Sequence, residues 1–487
     1  MIEIQRNYVN SHIVGKLDDQ VVQALRLKLR YKVPGFRFAF MRHTKWSGDG
    51  YKYLITPKQM KFPSGLLFMV EETLKEYGVE YTMADLRTKP VPSNPLSPKE
   101  YKLRDYQEVM EKACLDSCTG IVRAATGSGK TAVFTSILGK LNGLKRIVYV
   151  RKLDLMQQTI RVLARELDIP IGEIGGGKVD IQELSVAMVP TVARALGEQY
   201  VKYDGHENDD DDDEMELSIQ QKKDIKDYVE SAEVFICDEC HCLSATTVQM
   251  VSNYSKKAYY RLGFSATPWR TDGTDILLNA ATGPQIIDVP ASDLIDRGFL
   301  VPPRIHFYKM PRDLRKKLPS DYQTMYTEVI VENKQRNERI VKLATFLAQQ
   351  GERPIILVQR QQHGKTLEKM FEDSGLVAKF IYGESSMTDR WLAIEDFKAG
   401  VIDVIIGSSI LQEGIDVPCI TALINAAAGK SSSAYYQKIG RAIRTNDGKT
   451  RAIVIDFIDQ VKWLKDHAME RIRILRTEPR YEIKIQD

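Results

Sequence analysis

The stretch that decides the reading is AATGSGKT, residues 124–131. Just before it, IVRA at 121–124 has the character of an apolar strand end, and TAVFTSIL from Thr131 can start a helix. Strand, glycine-rich turn and helix start form the context in which successive backbone N–H groups and the positive end of a helix converge on an anion. In that frame Thr126, Gly127, Ser128 and Gly129 make the cradle. Lys130 reaches the terminal phosphates of a nucleoside triphosphate, and Thr131 offers its hydroxyl to Mg2+. Ala124 stands where glycine is commoner, which ordinary backbone angles tolerate. A chance GSGKT in a surface loop is the competing interpretation, and a second segment answers it. EVFICDECH, residues 233–241, is an apolar strand ending in two carboxylates, Asp238 and Glu239. Adjacent acids at the end of a buried strand are costly unless chemistry requires them. Here Asp238 can hold the metal while Glu239 polarises a water toward the terminal phosphate.

A third segment, QKIGRAIR at 437–444, puts Arg441 and Arg444 one helical turn apart, so that both can point at one phosphate. Taken alone, a basic helical face is usually just solvated. Arginines delivered across a cleft, however, accelerate phosphoryl transfer by about 10³ to 10⁵. With metal and water on one domain and the arginines on another, hydrolysis requires closure, and closure can drive movement along a polymer.

The surrounding chain supports two such domains. Apolar runs without polar alternation (RIVYV, SVAMV, EVFICDE and RLGFSAT, later PIILVQ, DVIIGSS, TALINAA and RAIVIDF) suit strands buried on both faces of parallel sheets. The expected fold is α/β: open parallel-sheet domains at 101–300 and 301–460, a small α+β domain at 1–88, and a basic helical tail at 461–487. KPVPSNPLSPKE at 89–100 reads as a linker, because each proline removes a donor and restricts its neighbour. Within 1–88 the patterns predict a helix over 18–29, a strand FRFAFMRH, the turn WSGDG, a strand YKYLI, and a helix over 64–77 closed by Gly78. Residues 204–216, DGHENDDDDDEME, carry too much like charge to fold on themselves and read as a solvated surface loop.

Composition agrees with a globular chain: 487 residues, 43% hydrophobic, 28% charged, net charge +4. That charge is too small to name a partner. The six cysteines do not form a framework pattern, and the trio Cys237, Cys240 and Cys242 lacks the accompanying ligands of a zinc site. MIEIQRNYVN has no basic-then-apolar leader, and no run approaches the roughly 18 apolar residues of a membrane span. The expectation is a cytoplasmic protein without a membrane partner.

In this order the motifs resemble those of the superfamily 2 helicases, over roughly 100–460. LRDYQ at 103–107 is similar to that family's adenine-reading element, which implies Gln107 on the base edge with Arg104 or Tyr106 nearby. AATGSGKT resembles its motif I, in which alanine at the first position is common, and DECH its motif II. VYVRKLDLMQQ at 148–158 takes the place of motif Ia without the usual proline and threonine. SAT at 265–267 resembles motif III, which implies that Ser265 and Thr267 couple hydrolysis to strand handling. ILQEGIDVP at 410–418 resembles motif V, with Gly414 and Asp416 near the nucleotide, and QKIGRAIR resembles motif VI, with Gln437, Arg441 and Arg444 in the family roles. The resemblance implies two tandem RecA-like domains, ATP and Mg2+ as cofactors, and action on nucleic acid; the sequence leaves the oligomeric state open, with a monomer favoured. Within the superfamily, the front segments FRFAFMRHTKWSGDGYKYLI and FPSGLL are similar to the amino-terminal module of bacteriophage UvsW-type recombination helicases. That narrower likeness implies remodelling of branched or forked DNA and of DNA/RNA hybrids, in branch migration, fork regression and R-loop unwinding.

The front segment agrees on its own chemistry. From Val22 to Phe62 there are ten Lys or Arg against one acid, Asp49, with aromatics between them. Basic side chains track phosphates and aromatics stack on bases. Phe36, Phe38 and Phe40 read as core and His43 as structural, leaving Arg37, Arg42, Lys45 and Trp46 as nucleic-acid candidates. An RNA helicase, the motor subunit of a restriction complex, and an ATP-switched binding module are the alternatives.

Overall fold

The computed structural model describes residues 2–33, 49–197, 216–240, 245–267, 274–311, 319–382, 385, 387–407, 419–429, 432–446 and 448–486. The strand expected in FRFAFMRH and most of the acidic stretch lie outside them. The chain divides into two compact units: residues 1–124 with 129–288, and 125–128 with 289–487.

The front segment is more sheet than its sequence suggests. Ile2–Arg6 pairs antiparallel with Asn10–Val14 and parallel with Tyr81–Asp85, and Asn10–Val14 pairs with Lys61–Pro63. These strands are short and only half apolar, so period-2 patterning marks them poorly. The helix expected over 18–29 runs Asp19–Lys28 and buries Val21 and Leu25, four apart on one face. The one expected over 64–77 begins as a 3₁₀ turn, Ser64–Leu66, and continues as Leu67–Glu76, burying Leu67, Val70 and Leu74. YKYLI is strand only over Tyr51–Tyr53, paired with Arg30–Lys32. A Cβ on Gly65 would overlap the carbonyl oxygens of Asn279 and Ala280, so the 3₁₀ turn rests directly on helix Asp275–Thr282. The front segment thus shares a core with helix Asp275–Thr282, and its Tyr31 joins the core of the first large sheet.

That sheet has the order Lys178–Asp180, Gly172–Gly175, Leu184–Met188, Arg146–Val150, Val234–Cys237, Tyr260–Ser265, Thr119–Ala124, Gln285–Val289. Its five central pairings are parallel, with one antiparallel edge pair. The four strands recognised as apolar runs in this half are all present and almost wholly buried. The proline-rich 89–100 has no helix or strand, as expected, but it is not a loose tether. Ser93, Leu96 and Lys99 donate their N–H groups to the carbonyls of Asn142, Gly139 and Glu166 at 2.8, 2.9 and 3.0 Å. The Glu166 carboxylate accepts from the N–H groups of Glu100 and Tyr101.

The second sheet is parallel throughout, in the order Ala378–Ile381, Val404–Gly407, Pro354–Leu357, Ala422–Asn425, Ala452–Asp459, Pro303–Met310, Glu482–Gln486. Residues 461–487, expected as a tail, form helix Lys462–Leu475 and the edge strand. The buried Arg471 guanidinium pairs in a fork with the buried Asp456 carboxylate, Nε to Oδ2 at 2.7 Å and Nη2 to Oδ1 at 2.9 Å. Among the described residues no helix is long and apolar enough to cross a membrane.

Removing one member of a buried ion pair strands the other. Arg471→Ala is expected to destabilise the second unit by about 3–5 kcal/mol, read from urea denaturation. The double change Arg471→Met with Asp456→Leu is expected to recover most of that loss, and a double variant no more stable than Arg471→Ala would contradict this.

Candidate nucleotide site

Strand Thr119–Ala124 feeds a turn that ends in helix Lys130–Lys140. Gly127 and Gly129 hold φ of 89° and 80°, the left-handed region that glycine occupies without a Cβ penalty. At Gly129 a side chain would also overlap the Gln107 amide. Helix Lys130–Lys140 thus begins with its free N–H groups at the turn, where an anion is favoured.

Lys130 is buried, and its Nζ donates to the Ala124 carbonyl at 3.2 Å and lies 3.4 Å from Glu239 Oε1. Glu239 follows strand Val234–Cys237 with φ of 46°, an uncommon conformation for a residue with a side chain. Its N–H donates to Asp238 Oδ1 at 2.9 Å, and the Asp238 N–H donates to the Tyr149 carbonyl at 3.0 Å. Asp238 is buried; burial, then the neighbouring Glu239 charge, push its carboxyl up to about 7 against the pull of Lys130. A carboxylate held at such a cost is suited to a hard cation. Mg2+ binds through one or two protein oxygens plus phosphate and water, and Asp238 with the half-buried Thr131 fits that donor set. Thr126 Oγ1 is buried without a hydrogen-bond partner among the described residues, a hydroxyl that a phosphate oxygen would satisfy.

Around this centre, Gln107 Oε1 accepts from the Arg104 N–H at 2.9 Å, closing the start of helix Asp105–Ser117. Gln107 is therefore buried against the phosphate turn, with one end of its amide engaged by the cap. The Arg104 Nη1 donates to Tyr106 Oη at 3.3 Å. Ser265 ends strand Tyr260–Ser265, and its Oγ accepts from the Thr267 N–H at 3.0 Å, while Thr267 Oγ1 is buried and unpartnered among the described residues.

In the second unit, helix Ser432–Ala442, the arginine helix, carries Arg441 in its last turn. Arg444 departs from the expected spacing on one helix. The helix stops at Ala442, Val301 donates its N–H to the Ile443 carbonyl at 2.9 Å, and Arg444 bridges to Leu300. Residues Ala125–Ser128 group with this unit. Gly440 lies so close to Thr126 that a Cβ would overlap its side chain, and the Leu300 and Arg444 side chains flank Gly127. The Gln437 side chain, Gly414, Asp416, Arg37, Arg42, Lys45 and Trp46 lie outside the described residues.

Residues 100–270 match the family model described as Type III restriction enzyme, res subunit, and residues 335–446 that of the Helicase conserved C-terminal domain. On two parallel-sheet units in this order, these matches place the chain with the superfamily 2 helicases, a class of ATP-dependent motor enzymes. A Sulfolobus islandicus filamentous virus protein, "Putative helicase 22", is 24% identical over 381 residues, 74% of this chain and 65% of its own. The DNA 3'-5' translocase XPB2 of Sulfurisphaera tokodaii is 24% identical over 78% of this chain and 86% of its own. The chain spans only 51–65% of the length of several such relatives. A fragment structure of a "putative HsdR subunit of a type I restriction enzyme" from Vibrio vulnificus shares the fold at a TM-score of 0.56 and 18% identity, covering 90% of this chain and 75% of that one. A crystal structure of T4 UvsW aligns over 100% of this chain and 99% of its own at 17% identity and a TM-score of 0.45, too low to carry the narrower likeness.

Sequence patterns missed the buried ionic partners of the second unit. One signal was available: Asp456 interrupts the apolar run RAIVIDF, and a carboxylate there needs a cation. A group whose folded value is raised from 3.8 to about 7 supports folding at low pH and withdraws that support as pH rises through this window. Without nucleotide or divalent cation, the urea midpoint of Asp238→Asn relative to wild type is expected to rise from about pH 4 to about pH 7. A difference that stays constant with pH would exclude the desolvated carboxyl.

Proposed function

We propose that this protein is an ATP-dependent DNA translocase that remodels branched or forked DNA, including DNA/RNA hybrids. The observation that carries the motor reading is Lys130, lodged between the Ala124 carbonyl and Glu239 beside a buried Asp238 at a helix start. The triphosphate lies along the Thr126–Gly129 turn with its terminal phosphates on Lys130. Thr131 and Asp238 would hold Mg2+, which neutralises phosphate charge when bound. Glu239 orients the attacking water, for which it must leave Lys130 to the phosphate. Gln107 and Arg104 border the base, Gly414 and Asp416 the nucleotide. Gln437, Arg441 and Arg444 act on the charge that develops at the terminal phosphate. Ser265 and Thr267 couple that chemistry to strand handling.

The names of relatives such as the XPB2 translocase support DNA as the polymer. The branched substrate is supported by the likeness of the front segment to UvsW-type modules and by its basic, aromatic composition, which includes Arg37, Arg42, Lys45 and Trp46. A restriction motor is the second reading, favoured by the model matched over 100–270 and by the HsdR likeness.

Lys130→Ala is expected to fold normally and lose DNA-stimulated hydrolysis by at least about 10²-fold; undiminished turnover would refute the ATP site. Arg444→Ala is expected to bind ATP nearly normally and lose turnover by about 10³-fold or more, measured as steady-state phosphate release; normal turnover removes the arginine clamp. ATP turnover with no polymer, single strands, duplex, forked DNA and RNA separates the readings. Strongest stimulation by forks supports branch remodelling, and RNA alone or long linear duplex alone displaces it.

A further inference from the structure

The arginine helix is held at two places by buried groups that the nucleotide chemistry does not use. Its entry is the segment Ala426–Gly429, which follows strand Ala422–Asn425. Three side chains from three different elements donate to three carbonyls in these four residues. Arg336 Nη1 bonds Ala426 O at 3.0 Å, Tyr326 Oη bonds Ala427 O at 2.6 Å, and Arg471 Nη1 bonds Gly429 O at 2.9 Å. Arg336, Tyr326 and Arg471 are all buried, and each arginine is also paired with a buried carboxylate, Asp459 and Asp456 respectively. Ala428, inside the segment, holds φ of 48°, a strained conformation for alanine that persists only where the surroundings over-determine it.

The second hold is on the helix itself. Tyr436 is buried, donates its hydroxyl to Glu478 Oε1, and stacks on Tyr481 with ring centroids 6.2 Å apart at 26°. Glu478 is buried in turn. Its carboxylate accepts from the N–H groups of Ala291 and Ser292 at 3.3 and 2.9 Å and from Ser292 Oγ at 2.8 Å. A carboxylate with that many donors is fixed in place, and it fixes the tyrosine. Arg471, Glu478 and Tyr481 all come from the segment that follows strand Ala452–Asp459, beyond the last of the motifs.

We propose that Glu478 and Arg471, with Tyr326 and Arg336, are positioning residues for phosphoryl transfer: the C-terminal segment braces the arginine helix so that Arg441 and Arg444 are presented in one orientation. The proposal rests on the reading that these arginines act on the triphosphate. A displacement of about 1 Å far from the chemistry costs on the order of 10²-fold in rate, so groups that bond only to the helix and its entry segment can set the rate through the orientation they impose.

The test uses the full chain and three shape-preserving changes: Tyr436→Phe and Tyr326→Phe, which each remove a hydroxyl, and Glu478→Gln, which turns one carboxylate acceptor into an amide donor. Each is expected to lower kcat for DNA-stimulated ATP hydrolysis by about tenfold or more, with KM for ATP within about twofold and near-wild-type folding by circular dichroism. Tyr436→Phe and Glu478→Gln together are expected to cost less than the sum of the two, because both act on the Tyr436–Glu478 bond. A folded Tyr436→Phe with unchanged kcat overturns the proposal, as does fully additive loss in the double variant. Arg444→Ala serves as the separate control. If it turns over ATP normally, the reading beneath the proposal fails. If it is inactive while all three shape-preserving variants are normal, the brace alone fails.

Discussion

One buried ammonium organises the nucleotide site. Lys130 sits where its charge answers Glu239 and moderates the desolvated Asp238, while its Nζ also satisfies the Ala124 carbonyl at the foot of the turn. Take the lysine away and two adjacent carboxylates face each other in a poorly solvated place, where like charges cannot both stay ionised cheaply. Resting geometry and function are therefore one arrangement. The lysine's present partners are anionic or carbonyl oxygens, the same kind of group that a terminal phosphate offers, so in the function proposed above ligand entry would exchange partners without building the site anew.

The second unit solves a different problem. Its arginines lie at the end of a helix and just past it, and long cationic side chains have many rotamers to lose. Order has to come from beneath, through the backbone that carries them. Two buried arginine–carboxylate pairs, a tyrosine hydroxyl and a multiply bonded carboxylate provide it from elements far apart in sequence. Buried ion pairs contribute little net stability against apolar replacements, so their worth here lies in fixing one arrangement of Ala426–Gly429 and the helix that follows.

This division explains what was legible in the sequence. The phosphate turn and the DECH strand end are local: glycines at fixed offsets and acids terminating an apolar run announce their own geometry. Strands of parallel sheets read well for the same reason, since burial on both faces removes polar alternation. The front sheet read poorly because Asn10–Val14 and Lys61–Pro63 owe their strand state to pairing, which periodicity does not report. The three-residue spacing suggests a helix through Arg444 because spacing alone cannot see that Val301 and Leu300 take over the backbone bonds after Ala442. Glu478 had no signal at all, because its backbone donors Ala291 and Ser292 are more than 180 residues away in the chain and its third partner, Tyr436, is 42 away.

The attachment of the front segment follows from the same contacts. Gly65 rests against the carbonyls of Asn279 and Ala280, and helix Asp275–Thr282 follows SAT by only a few residues along the chain. The proline-rich 89–100 adds backbone bonds to Asn142, Gly139 and Glu166, so a second strap runs from the front sheet to the first large sheet unit. Helix Asp275–Thr282 thus packs against the front segment through Asn279 and Ala280. Side chains in a close-packed core transmit displacement rather than absorb it, so a Cβ added at Gly65 would push the front segment off the Asn279 and Ala280 carbonyls and disturb the packing between the front sheet and the first large sheet.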